Sequence, residues 1–232
     1  MSIFAISDLH LSLGVDKPMD VFGGRWSNYM EKLKAEWEEI VLEEDTVIIP
    51  GDISWATYLE QAYEDFKFIH ALPGTKIISK GNHDYWWTTL KKLDQFLVEH
   101  SFSTIRFMHN NNFNIGETII CGTRGWKCPG ESDFSLEDRK IYNRELARLE
   151  LSLKSIQSTG EDIVVAMHYP PFNAKGEKSE FIQLMNQYAA KTCIYGHLHG
   201  ESCKYAVEGM VEGIDFRLAS ADHLCFKPIK LK

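Results

Sequence analysis

The sequence predicts an α/β fold in which most strands run parallel and helices make the crossovers. Short apolar, β-branched runs alternate with segments of helical periodicity, which is the signature of βαβ units. Residues capable of metal or acid–base chemistry stand directly after several of those runs, and ligands collect beyond the carboxyl ends of parallel strands.

Ile3–Ile6 reads as a short buried strand, and Tyr29–Leu42 as a helix with Leu33, Trp37, Ile40 and Val41 on one face. Thr46–Pro50 is the next strand, Tyr58–Ala71 the next helix and Lys76–Ser79 the third strand. Thr88–Val98 is again helical, because Leu90, Leu93, Phe96 and Leu97 cluster. Ile105–Met108 and Thr118–Cys121 flank a turn containing Asn110-Asn111-Asn112 and Gly116, a pattern that predicts antiparallel pairing. Leu136–Ile156 is a long amphipathic helix whose apolar face carries Tyr142, Leu146, Leu149, Leu153 and Ile156, read as core packing. Ile163–Met167 and Thr192–Tyr195 are strands separated by a helix near Glu180–Ala190, and Met210–Leu218 and Leu224–Ile229 read as closing strands.

At 232 residues, without repeat, linker or low-complexity tract, the chain is expected to form one domain over residues 1–232. The hydrophobic fraction of 44% and charged fraction of 25% are those of an ordinary globular protein with a core that needs no disulfides. Five cysteines without framework spacing suit a reducing compartment. Met1 leads straight into the first strand with no signal peptide, and no apolar stretch is long enough for a bilayer, so the expectation is a cytoplasmic protein without membrane contact. The net charge of −8 argues against nucleic acid as a partner, since counterion release rewards basic surfaces.

Five motifs follow the strands in order: Asp8-Leu9-His10, Gly51-Asp52, Gly81-Asn82-His83-Asp84, His168 and Gly196-His197-Leu198-His199. Asp8 and His10 are two apart, so both side chains can point the same way, and His197 and His199 repeat the device. Gly51 leaves room for backbone at a crowded centre, and Asn82 offers a neutral carbonyl oxygen. Two carboxylates, an amide and four imidazoles are enough to hold two divalent cations. Mixed oxygen and imidazole donors with no thiolate suit Mn, Fe, Zn or Ni. Any one motif could be a turn or a satisfied core histidine. The ordered set, each member behind a strand, is the informative pattern.

These residues resemble the calcineurin-like metallophosphoesterases, whose pattern is D-x-H, G-D, G-N-H-D/E, H and G-H-x-H; all five blocks match between Asp8 and His199. The resemblance implies a four-layer α/β/β/α sandwich with two mixed sheets flanked by helices. It implies that Asp8, His10, Asp52 and His199 hold one metal, and that Asp52, Asn82, His168 and His197 hold the other, with Asp52 bridging. Two such metals would stand about 3.5–4 Å apart. The implied reaction is hydrolysis of a small phosphate mono- or diester by a hydroxide bridging the metals. His83 would contact the phosphate or act as general acid, its alternative role being to bridge loops.

Departures from the pattern narrow the class. In Gly51-Asp52-Ile53-Ser54-Trp55-Ala56, Trp55 replaces the aspartate of the protein phosphatases' G-D-Y-V-D-R-G, and no arginine follows. Purple acid phosphatases carry a tyrosine ligand at that offset, which indole cannot replace. His168-Tyr169-Pro170-Pro171 looks more like the small bacterial phosphohydrolases and phosphodiesterases. Arg124, just past a strand, and Arg25, in the loop after the first motif, are candidate phosphate contacts. Trp26, Trp55, Trp86 and Trp126 lie near the same loops and are candidates for a stacking wall. The competing readings are a non-catalytic scaffold, which would lack ligands, and a nuclease, which would need a basic groove.

Overall fold

The computed structural model describes residues 1–19, 23–157 and 160–232. Its strands in chain order are β1 (Ile3–Ala5), β2 (Thr46–Pro50), β3 (Thr75–Ser79), β4 (Ile105–Phe107), β5 (Phe113–Ile115), β6 (Thr118–Thr123), β7 (Asp162–Met167), β8 (Thr192–Tyr195), β9 (Gly209–Val211), β10 (Ile214–Leu218) and β11 (Ile229–Lys230). The α-helices are α1 (Tyr29–Ile40), α2 (Tyr63–Ala71), α3 (Leu90–Glu99), α4 (Leu136–Lys154) and α5 (Glu180–Gln187).

Two sheets form. The first has the order β11-β1-β2-β3-β4 and the second β5-β6-β7-β8-β10-β9. In the first, β1 to β4 are parallel and β11 lies antiparallel along β1. In the second, β6, β7, β8 and β10 are parallel, with β5 and β9 as antiparallel edges. Both sheets are therefore mixed.

The strand sequences show why the sheets stack between helices. Side chains alternate across a pleat, so a strand covered on both faces reads as a near-continuous apolar run. Ile48, Ile77, Ile120, Val164, Ala166 and Ile194 point into one buried layer between the sheets. Their neighbours Val47, Ile49 and Ile78 turn outward to Leu33 and Trp37 of α1, Phe66 of α2 and Phe96 of α3. On the other sheet, Cys121, Val165, Met167 and Cys193 turn outward to Tyr142 and Leu149 of α4 and Phe181 of α5. The order helix, sheet, sheet, helix follows. The expected apolar face of α4 is the packed one: Tyr142, Leu149 and Leu153 are buried, and Leu146 and Ile156 pack partly against them. The helix starts at a capping box, where Asp138 N–H donates to Ser135 Oγ at 3.1 Å and Ser135 N–H to Asp138 Oδ2 at 2.9 Å.

The structure revises several boundaries. The expected pairing of Ile105–Met108 with Thr118–Cys121 does not form. β4 instead pairs with β3 in the first sheet, and the antiparallel partner of β6 is the short strand β5, joined through Gly116-Glu117. Three residues of Phe113-Asn114-Ile115 give too little alternation to announce a strand. The segment Met210–Leu218 is a hairpin, β9 and β10, and Leu224–Ile229 is mostly turn, from which Phe226 is buried at 1% exposure. The first part of Tyr58–Ala71 is a 3-10 turn over Leu59–Ala62.

One end of the molecule matters for function. Beyond the carboxyl ends of β1 and β10 the two sheets join: Ser7 N–H donates to Ala219 O at 2.7 Å, and Ala221 N–H to Ser7 O at 2.9 Å. Among the described residues, no helix is long and apolar enough to cross a membrane.

Candidate metal centre

Every motif residue sits where its strand stops. Asp8 and His10 follow β1, Asp52 follows β2, Asn82 and His83 follow β3, His168 follows β7, and His197 and His199 follow β8. The aiming device is a run of backbone turns, not the strand pleat that the two-residue spacing suggested. Asp8 (φ 61°), His10 (φ 47°), Asp52 (φ 52°) and His197 (φ 73°) all lie in the left-handed region. Non-glycine residues held there cost of order 1 kcal/mol each, and such strain concentrates at functional sites. The turns are packed without slack. A Cβ on Gly81 would sit 2.1 Å from Asp52 Oδ1, and one on Gly196 would sit 2.2 Å from Asp8 Oδ2.

The donors converge from both sheets. His199 Nε2 is 3.3 Å from Asp8 Oδ1 and 3.2 Å from His10 Nε2. Asn82 Oδ1 is 2.6 Å from His168 Nε2 and 2.9 Å from His197 Nδ1. Asp52 Oδ2 faces both groups, 3.7 Å from His10 Nε2 and 3.5 Å from His168 Nε2. Two compact sets, Asp8 with His10 and His199, and Asp8 with Asp52 and His168, each bring donor atoms within 4.8 Å of one another and could hold a metal ion. Asp8 is thus common to both compact sets, while a single oxygen of Asp52 reaches across them.

Secondary contacts fix these side chains. Asp8 accepts from the amide of His197 at 3.0 Å and from Ser220 Oγ at 3.1 Å. His168 Nδ1 lies 3.1 Å from Pro50 O, which leaves Nε2 facing the centre. Asp84 is fully buried and accepts from the amides of Gly81, Asp52 and Ile53 at 2.7, 2.9 and 2.8 Å, tying two of the loops together.

The electrostatics suit cations. Burial alone would raise Asp8, but His199, His168 and His10 outweigh it and hold the carboxyl well below its usual range. Burial, then the charge of Asp8, push Asp52 up to about 8. Burial keeps His10 and His197 down to about 3. Burial opposes protonation of His199 as well, yet Asp8 and Asp222 raise it to about 10. Two buried carboxylates this close keep both charges only with a shared positive partner. His10 Nδ1 is also buried without a hydrogen-bond partner. A donor set of carboxylate, imidazole and amide, poor in fixed cations, fits divalent metal ions, whose binding displaces protons.

The other expected residues fall around this centre. His83 is half-buried, its amide donates to Asp52 Oδ1 at 2.8 Å, and its ring stands 4.5 Å from that of Trp55. Arg25 is exposed in a cavity of about 500 Å³ that it shares with His199. Arg124 is engaged by the buried Glu145 of α4 at 3.1 Å and lies over the Trp126 ring at 4.6 Å. Of the four tryptophans, Trp26 and Trp86 are buried at 5% and 2% exposure, so they pack and offer no free stacking face. Trp55 stacks on His10 at 4.9 Å, and Lys17 sits 3.2 Å above the Trp55 ring.

Sequence reasoning assigned no role to Asp222, which the fold places in the centre. Its Oδ1 lies 2.9 Å from His199 Nδ1 and its Oδ2 accepts from the Gly200 amide at 2.8 Å. The available signal was an acid just beyond an apolar run, obscured because β10 was merged with β9 into one strand.

The sequence matches the family model for calcineurin-like phosphoesterases over residues 1–201. The chain belongs to this family. No curated protein matches it in sequence. Among solved structures, this calcineurin-like phosphoesterase resembles a protein of unknown function from Aquifex aeolicus, with 18% identity, TM-score 0.53, and coverage of 99% of this chain and 95% of the other. It also resembles a phosphopantetheinyl hydrolase from Mycobacterium tuberculosis, with 14% identity, TM-score 0.55, and coverage of 94% and 88%. A protein from Thermus thermophilus matches with 12% identity, TM-score 0.54, and coverage of 99% and 97%. At these identities the likeness establishes the fold. Family and donor groups together make the chain a metal-dependent phosphoesterase at the level of class.

Proposed function

We propose that this protein hydrolyses a small phosphate mono- or diester using two divalent metal ions. Asp8, His10, Asp52 and His199 would hold one, and Asp52, Asn82, His168 and His197 the other. The observation that carries this reading is the position of Asp52 Oδ2, 3.7 Å from His10 Nε2 and 3.5 Å from His168 Nε2, between donors from the two sheets. Paired divalent cations make hydroxide available near neutral pH and neutralise charge on a phosphoryl group.

The chain's own residues orient that chemistry. Asp222 and Pro50 O hold the outer nitrogens of His199 and His168, so that each ring presents Nε2 inward. His83 stands at the edge of the centre, with Trp55 where the protein phosphatases have their aspartate. Burial lowers the His83 pKa and so favours the neutral ring. A neutral imidazole donates one hydrogen bond, which favours contact with a phosphoryl oxygen over proton delivery to the leaving group. Arg25 is the better placed of the two arginines for an incoming phosphate, because Glu145 already claims Arg124.

The test is an activity screen with Mn²⁺ supplied, over p-nitrophenyl phosphate, bis(p-nitrophenyl) phosphate, phosphorylated metabolites and cyclic nucleotides, beside elemental analysis of the purified protein. Two metals per chain and turnover of one ester class are expected. A metal-loaded protein that hydrolyses none of them overturns the proposal.

A further inference from the structure

A cavity of about 310 Å³ opens beside His197 and shares no lining residue with the one that Arg25 lines. Its walls are mostly apolar: Tyr169, Pro170, Phe172, Leu198, Tyr205 and Val207. The Tyr169 ring lies 4.1 Å from the His197 ring, so that imidazole is a common wall between the cavity and the metal donors. The walls are braced from behind. The Tyr169 amide donates to Arg124 O at 2.9 Å, Tyr195 OH donates to Val207 O at 2.8 Å, and Phe172 packs on Phe216 at 4.8 Å.

Charge at the rim is as informative as the lining. Among the described residues, Lys127 is the one lysine or arginine lining the cavity, and it is held by Asp133 at 2.9 Å and by Asp138 at 3.3 Å. Glu131 and Asp133 add negative charge there. A second phosphate or carboxylate on a substrate would find no uncompensated positive partner and would meet two acids. An uncharged apolar group would meet rings and methyls, in a volume at the small end of ligand sites.

Resting on the phosphoesterase reading above, we infer that this cavity receives the uncharged apolar part of the substrate. The favoured esters then carry an aryl or compact alkyl group, and esters bearing further anionic groups are selected against. Leu198 contributes to the selection directly, since it separates the two histidines of its motif and faces the cavity instead of the donors.

The probes are phenylphosphonate, methylphosphonate and 4-phosphonobenzoate, which present one headgroup with different tails and are not hydrolysed. Calorimetric titration into the Mn²⁺-loaded protein is expected to give phenylphosphonate about tenfold tighter binding than methylphosphonate, from burial of the ring. 4-Phosphonobenzoate, with a carboxylate at the far end of the ring, is expected to bind more weakly than phenylphosphonate. Val207→Trp fills the cavity and is expected to bring phenylphosphonate and methylphosphonate to the same affinity. Ala174→Trp, on the cavity's outer wall, provides the same test if the first variant does not fold. Equal affinities in the unaltered protein, or a preference that survives in a folded filled variant, overturn the cavity assignment alone. If no phosphonate binds the metal-loaded protein, the phosphoesterase reading falls and this inference with it.

Discussion

Asp222→Asn isolates the contribution of a residue that reaches the metal donors through His199 and also lines the cavity of Arg25. The side chain is 1% exposed and spends one oxygen on His199 Nδ1 and the other on the Gly200 amide. With His199 Nε2 directed at Asp8 and His10, Nδ1 carries the proton, so both partners of Asp222 are donors. An asparagine of the same shape has one acceptor, and its NH₂ must face one of those donors. A buried donor left without an acceptor costs about 1–3 kcal/mol. Loss of a carboxylate behind a ligating histidine lowers metal affinity by about 10–100-fold, or roughly 1.4–2.7 kcal/mol. The assay is Mn²⁺ competition against a chromophoric chelator, paired with thermal unfolding of apo and metal-saturated protein. The expected result is weaker Mn²⁺ binding by about 10–100-fold, an apo midpoint lowered by the unpaired donor, and recovery of turnover at saturating Mn²⁺. Unchanged Mn²⁺ affinity refutes the positioning role. An apo form that collapses and is not rescued by Mn²⁺ makes Asp222 a residue of the fold instead.

His83→Ala is expected to keep the metal content and lower turnover by about 10²–10³-fold, the cost of losing one donor to the developing phosphoryl charge; undiminished turnover removes the imidazole from the reaction. Chelation is expected to lower the unfolding midpoint, because restoring Mn²⁺ to a hundred times its dissociation constant adds about 2.7 kcal/mol to the folded state; identical midpoints with and without chelator contradict binding at the buried carboxylates. Asp65 tests the fold apart from the centre. It is fully buried, accepts from the Leu13 amide and the Ser54 hydroxyl, and burial raises its pKa to about 6 from 3.8. Because the folded value is the higher one, the stabilisation is complete below about pH 4 and is lost as pH rises through about 6. That span corresponds to roughly 3 kcal/mol. Denaturant titrations between pH 4 and 7 are expected to show a steeper fall in stability for the unaltered protein than for Asp65→Asn, in which the remaining slope comes from Asp52 and Asp84; parallel slopes would count against it.

The parallel cores were legible in the sequence because doubly covered strands are apolar through their centres: Val47-Ile48-Ile49 and Val164-Val165-Ala166 announce themselves. Edge strands carry no such signal. Phe113–Ile115 is three residues long with half-buried faces, and its absence from the prediction sent Ile105–Met108 to the wrong sheet. The donor residues were readable because imidazole, carboxylate and amide have few reasons to recur behind successive strands. Their supports were less so. Asp222 reaches His199 across the chain without any motif, and Glu145 meets Arg124 only because α4 lies over β6. Neither the left-handed turns at Asp8 and Asp52 nor the burial of Trp86 follows from residue type. Both depend on how loops from two sheets share one space.

The junction of the sheets has a kinetic consequence. Asp8, His10, Asp52 and Asn82 hang from one sheet, and His168, His197 and His199 from the other. A half-assembled chain, with only one of them built, presents fragments of a cage. Ions that need the whole cage would enter after the folding barrier has been crossed and would have to leave before it is crossed again. They would act as a brake on escape, steepening nothing on the refolding limb of a chevron while lowering the unfolding limb.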